Sequence, residues 1–131
     1  MGNRTVFQRI FGISASKVAS SDSWSFDGSV LRIDPGRLPE VSASGGGVRI
    51  EGKGLPDRFL LLHGRDGDYH LFSNRCRHGG RRLDPDGDGL QCCSLGKSAY
   101  DINGTVRSGP AKKNLKKYAI RRENNYIIAE V

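Results

Sequence analysis

Cys76 and His78 stand two residues apart in the run NRCRHGG (74–80), and Cys92 and Cys93 stand side by side in LQCCSLGKSAYD (90–101). Thiolate and imidazole are the side chains that borderline and soft metals prefer. At that spacing a cysteine and a histidine converge on one centre only in a turn, and Gly79 with Gly80 allows one. In the second stretch, Gly96-Lys97-Ser98 raises a different question. A phosphate loop needs G-x-x-x-x-G-K-[ST] between a strand and a helix. Gln91 stands where the first glycine belongs, and SAYDING afterwards reads as strand and turn, so the phosphate reading fails. A nucleophilic or redox-active Cys76 is the remaining enzymatic reading, since Arg75 and Arg77 flank it and their charge favours a thiolate. No acidic residue to orient His78 is identifiable. For a cysteine taken alone, a buried small hydrophobe is the usual role.

Short strands with strong punctuation must position these residues. SVLRI (29–33) ends in DPG, and VRIEG (48–52) alternates after a glycine run. RFLLLHG (58–64) reads as a buried strand whose RDGD turn leads into YHLFS (69–73), which delivers Cys76. AYDI (99–102) and TVRS (105–108) flank Asn-Gly, a hairpin signal, and YAIRRE pairs with NYIIAEV through Asn124 and Asn125. No long amphipathic helix and no repeat is visible. The expected class is all-β, an antiparallel sandwich or small barrel.

The chain has 131 residues and 18 glycines, which suits one turn-rich domain with its own core. Residues 1–26 read as an appendage: VFQRIFGI (6–13) could make one or two amphipathic turns, and SASKVASSDS (14–23) has linker composition. The domain is expected from residue 27 to 131. No apolar run is long enough to span a membrane, and the start lacks a secretory h-region, so the cytoplasm is the expected location. Three cysteines at this spacing do not suggest a disulfide framework. The net charge of +7 is concentrated in RCRHGGRR (75–82) and AKKNLKKYAIRR (111–122). These clusters lack interleaved aromatics, so nucleic acid is not the expected partner; a solvated face or an acidic protein partner is.

The two loops together resemble the Rieske family, in which a [2Fe–2S] cluster sits between two hairpin loops with the pattern C-x-H and C-x-x-H. Cys76, His78 and Gly80 match the first loop, and Leu83 matches the apolar residue after it. Tyr100-Asp101 matches the aromatic-Asp pair that follows the second loop, which places Cys93 on the second cysteine. SGPAKK (108–113) resembles the covering proline loop, with Pro110 as its lid. The resemblance runs from about Val30 to Val131. It implies a sandwich with a small two-loop subdomain, with ligand loops at about 74–83 and 91–98.

The resemblance also has a departure. Three residues beyond Cys93 stands Gly96, where the second histidine ligand belongs, and starting from Cys92 gives Leu95 instead. Glycine offers no side-chain donor. His63 and His70, the chain's other histidines, fall in the expected central hairpin. Cys92 could supply a substitute thiolate, water or a small ligand could fill the gap, the remaining ligands could hold zinc, or the domain could bind no metal. Adjacent strand residues face opposite ways, which counts against Cys92 unless the strand bends.

The resemblance thus implies an electron-transfer protein of ferredoxin type, with Cys76, His78 and Cys93 as metal ligands, Cys92 as the alternative, and an acidic redox partner. It implies an electron-supplying component of an oxidoreductase system rather than an enzyme. A cluster-free interaction or subunit module is the other expectation.

Overall fold

The run Phe59-Leu60-Leu61-Leu62 is apolar on both faces of its alternation, so the strand that it forms has to be covered on both sides. The computed structural model describes residues 16–77, 80–87, 89–92, 98–109, 111 and 113–131. In chain order the strands are β1 (Trp24–Asp27), β2 (Val30–Ile33), β3 (Gly47–Ile50), β4 (Phe59–His63), β5 (Tyr69–Ser73) and β6 (Leu83–Asp86). They continue with β7 (Gly89–Cys92), β8 (Ala99–Asp101), β9 (Val106–Ser108), β10 (Lys117–Tyr118), β11 (Ile120–Glu123) and β12 (Tyr126–Glu130). Two short 3-10 turns, Pro35–Arg37 and Pro39–Val41, lie between β2 and β3. No described helix is long and apolar enough to cross a membrane.

The strands form three antiparallel sheets of four, ordered β1-β2-β12-β11, β10-β5-β4-β3 and β6-β7-β8-β9. The second sheet feeds two cores. Phe59 and Leu61 pack with Leu31, Ile33, Val48 and Ile127 on one side. Leu60 and Leu62 pack with Phe72, Leu83, Leu90 and Tyr100 on the other. Phe59 is wholly buried, and its replacement by Ala would cost about 3–5 kcal/mol. This is the expected antiparallel sandwich with a small subdomain, the latter being the third sheet.

Turn chemistry fixes the register. In the β8–β9 hairpin the Asp101 carboxylate accepts the Asn103 and Thr105 N–H groups, each at 2.9 Å. Gly104 takes the left-handed conformation (φ 84°) there, as the Asn-Gly signal requires. Asn124 does the same (φ 55°) between β11 and β12.

The boundary expected at residue 26 falls inside β1, and the described part of the Ser-rich stretch is packed against the body. Arg49 N–H donates to Lys17 O at 2.8 Å and Ala19 N–H to Arg49 O at 2.7 Å, so residues 17–19 run beside β3. Ser16 donates its N–H and O–H to the buried Asp84 carboxylate at 3.1 and 2.8 Å. Backbone hydrogen bonding on a sheet edge needs no apolar side chains, which is why composition read as linker. The expected amphipathic turns at 6–13 lie outside the described residues.

Candidate metal centre

β5 ends at Ser73, and the next residue folds the chain into the loop expected to carry the first ligands. Asn74 is fully buried; its N–H donates to Arg58 O at 2.7 Å, and its side-chain oxygen accepts the Leu83 N–H at 2.8 Å. One side chain thus joins the two ends of the loop. Inside it, Cys76 N–H donates to Arg81 O at 2.7 Å and Gly80 N–H to Cys76 O at 2.9 Å. Gly80 adopts φ 69°, which explains a glycine after the C-x-H pair. Beneath the loop the Arg58 guanidinium donates through Nη2 to Asn74 O at 3.1 Å and to Gly80 O.

Cys76 is 3% exposed, and its sulfur lies 3.3 Å from the hydroxyl of Tyr100 on β8. The phenol oxygen accepts the Arg77 N–H at 3.0 Å, which leaves its own proton for the sulfur. Burial, then the contact with Cys76, pushes the Tyr100 phenol well above its ordinary value, so it remains a donor. Gly89 of β7 permits the close main-chain approach of β8, on which Tyr100 stands: a Cβ there would meet the Tyr100 carbonyl oxygen at 2.2 Å.

Cys92 ends β7, is 1% exposed, and lies in the same buried cluster as Cys76, Leu83, Leu90 and Tyr100. Its burial among apolar side chains is compatible with the alternation of neighbouring strand residues, and Cys93 lies outside the described residues. The Cys92 N–H donates to Ser98 O at 2.8 Å, which continues the β7–β8 pairing. The buried Ser98 hydroxyl accepts the Ala111 N–H at 3.0 Å, so the proline loop is tied to the far end of the second loop.

The loop's flanks carry two charge networks. Asp57 accepts from Arg75 Nε at 2.9 Å and from the Tyr118 hydroxyl at 2.8 Å. Burial raises the Asp57 carboxyl, but hydrogen bonds with Ser73, Arg75 and Tyr118 outweigh it and hold the group below the usual carboxylate value. Arg82 makes a bidentate pair with Glu51 at 2.7 and 3.0 Å, and Arg49 adds a contact at 3.6 Å. Burial, with Arg75 and Arg82 nearby, lowers the Arg58 guanidinium from its ordinary value.

Of the expected ligands, the structure places Cys76 and Cys92 in one cluster; His78, Cys93, Gly96 and Pro110 lie outside the described residues. That leaves fewer than three donors together among the described residues. The other two histidines are committed elsewhere. His63 Nδ1 lies 2.8 Å from Val41 O, and His70 Nε2 lies 3.0 Å from an Asp66 carboxylate oxygen. Both flank the turn of the β4–β5 hairpin, at the end away from Cys76. Sequence reasoning missed Arg58 and Asn74; Asn74, two residues before Cys76, carried the only local hint.

A family model for the Rieske [2Fe-2S] domain matches residues 36–119. Among solved structures, the cyanobacterial plasma membrane Rieske protein of Synechocystis PCC 6803 is similar at 20% identity. That match has a TM-score of 0.53 and covers 63% of this chain and 86% of that one. The ferredoxin of carbazole 1,9a-dioxygenase from Nocardioides aromaticivorans IC177 is similar at 18% identity and TM-score 0.55, over 67% of this chain and 86% of that one. Naphthalene 1,2-dioxygenase with indole in its active site is similar at 21% identity and TM-score 0.51, over 94% of this chain but 27% of that one. No curated protein matches in sequence. The matched span covers more than half of the chain and contains both expected ligand loops, so the protein belongs to the Rieske [2Fe-2S] domain family.

Proposed function

We infer that this protein is an electron carrier whose [2Fe–2S] cluster is held by Cys76, His78 and Cys93, with Cys92 as the fourth donor. The observation that carries the reading is the buried Cys76 sulfur facing a phenolic donor at 3.3 Å, inside a loop whose two ends are pinned together. A hydrogen-bonded buried sulfur suits a metal-bound thiolate, which needs donors around it. The cysteines and histidines of the chain number six, and His63 and His70 are placed away from the site. With Gly96 at the expected histidine position, Cys92 is the remaining side chain of suitable chemistry, and it shares a buried cluster with Cys76. When bound, the cluster would accept and release one electron; a third thiolate adds negative charge and favours its oxidised state.

The chain's own residues define the rest of the role. The Tyr100 hydroxyl stands within hydrogen-bonding distance of the Cys76 sulfur, Leu83 and Leu90 pack in the same buried cluster, and cations of the flanking segments are exposed. Exposed Arg77, Arg81, Lys113 and Lys116 lie in segments 75–82 and 111–117, which contain no acidic residue. Such a field speeds the encounter with an acidic surface. One solved relative is described as a complex of reduced oxygenase and oxidized ferredoxin. An oxidoreductase component with an acidic docking face is the partner that we propose.

The test is anaerobic reconstitution with iron and sulfide, followed by assay of iron, zinc and acid-labile sulfide on one sample. Equal iron and sulfide, retained through desalting, is the expected result. Zinc that iron and sulfide cannot displace, or a folded protein that retains no metal, would overturn it.

A further inference from the structure

Arg58 precedes β4, 18 residues before Cys76, and no metal-ligand pattern includes it. Its guanidinium nevertheless reaches the main chain at both ends of the first loop: Nη2 donates to Asn74 O at 3.1 Å and to Gly80 O. Its own carbonyl accepts the Asn74 N–H at 2.7 Å. These bonds tie Asn74 and Gly80, on either side of Cys76, to one residue. The neighbouring Asp57 carboxylate accepts the Arg58 N–H at 2.8 Å and grips Arg75 at 2.9 Å, so the tie is itself anchored.

We propose that Arg58 is a positioning residue for the first ligand loop, holding the Cys76–Gly80 turn shut and keeping a fixed positive charge beneath it. The inference deepens the electron-carrier reading and rests on it where it concerns the potential. Both bonds leave one nitrogen, Nη2, whose two hydrogens are fixed in the guanidinium plane, whereas an ammonium is a point donor on a flexible stem with no such fixed directions. The charge acts on redox balance as well as on shape. Reduction adds a negative charge to the site, and a nearby fixed cation favours that state.

Two substitutions separate this role from general stability. Hydrogen exchange of the full-length apo-protein is followed at the Cys76 and Gly80 amides, with the β11–β12 amides as the internal reference. In Arg58→Met the loop amides are expected to exchange about tenfold or more faster than in the unmodified protein, beyond any change in the reference strands. Arg58→Lys, which keeps the charge but not the planar Nη2 donor, is expected to loosen the loop as well. After reconstitution the Met variant is expected to have a lower reduction potential than the unmodified protein, with the Lys variant between them. Loop exchange at the unmodified rate in both variants, or accelerated only in step with β11–β12, would overturn the proposal. An unchanged potential in Arg58→Met would do the same. If the unmodified protein takes up no iron and sulfide, the electron-carrier reading fails and the apo-protein exchange alone decides the role of Arg58.

Discussion

Tyr100 on β8 and Cys76 in the first ligand loop meet through a 3.3 Å O–H···S contact, and the same oxygen accepts the Arg77 N–H at 3.0 Å. A single phenol therefore ties the thiol and the main chain of that loop to the third sheet. Removing its hydroxyl by Tyr100→Phe keeps the wholly buried ring, so the fold should survive at a cost of about 1 kcal/mol. The lost donor had favoured the more negative, reduced state. The reduction potential should fall by roughly 40 mV for each kcal/mol of selective stabilisation lost, by the one-electron relation of about 59 mV per tenfold. A redox titration of the reconstituted variant checks this; an unchanged or higher potential would sever Tyr100 from the site.

Cys92 gives a second prediction. Its thiol is 1% exposed in the cluster that contains Cys76. Cys92→Ala should leave a folded protein destabilised by about 1 kcal/mol, the transfer free energy of a small buried group. If Cys92 completes the ligand set, the variant should retain far less iron and sulfide through desalting, with an altered reduced-state spectrum. Full retention with an unchanged spectrum would show Cys92 to be packing alone.

The alkaline limb of stability should report two phenols. Burial and the contact with Cys76 raise Tyr100, and burial with the hydrogen bond to Asp57 raises Tyr118. A group whose folded value is raised contributes fully below its unfolded value, near pH ~10 for tyrosine, and loses that contribution as the pH climbs towards the folded value. The urea midpoint should therefore fall above about pH 10, and Tyr118→Phe should flatten the fall. Asp57 acts at the other end. Its lowered carboxyl contributes above the ordinary carboxylate value, about pH 4, and the contribution is lost as the pH falls through its folded value. Asp57→Asn should weaken the dependence on acid.

Truncation tests where the domain begins. A chain starting at Gly28 loses β1 and the segment beside β3, uncovering Leu31, Ile33 and the edge of the second sheet. It should unfold at markedly lower urea or aggregate, whereas a chain starting at Ser16 should keep most of its stability. Equal midpoints for the two would restore residue 26 as the boundary.

The parts of this fold that were legible in the sequence are those whose side chains carry the pattern. Phe59–Leu62 announced a strand covered on both faces, and the Asn-Gly and Asn-Asn pairs announced their hairpins. β1 was hidden because its residues, Trp-Ser-Phe-Asp, follow a Ser-rich run and offer only two apolar positions. β6 was hidden because Pro85 argues against a ladder; it is tolerated since β6 is an edge strand. At the site, Cys76 stood out by type and spacing, and Tyr100 only through the resemblance to the family's aromatic-Asp pair. Arg58 did not, because it works through main-chain carbonyls 16 and 22 residues away, which no local spacing records. The burial of Cys92 was equally hidden, since strand alternation alone cannot say which of two neighbouring cysteines faces the core.

The most direct measurement is the EPR spectrum of the anaerobically reconstituted, dithionite-reduced protein, recorded with iron and sulfide assays on the same sample. The account predicts a rhombic [2Fe–2S] signal with equal iron and sulfide, altered by Cys92→Ala and abolished by Cys76→Ser. A folded, EPR-silent protein without sulfide, with a stability indifferent to Cys76→Ser and His78→Ala, would contradict it and make the domain a cluster-free interaction module.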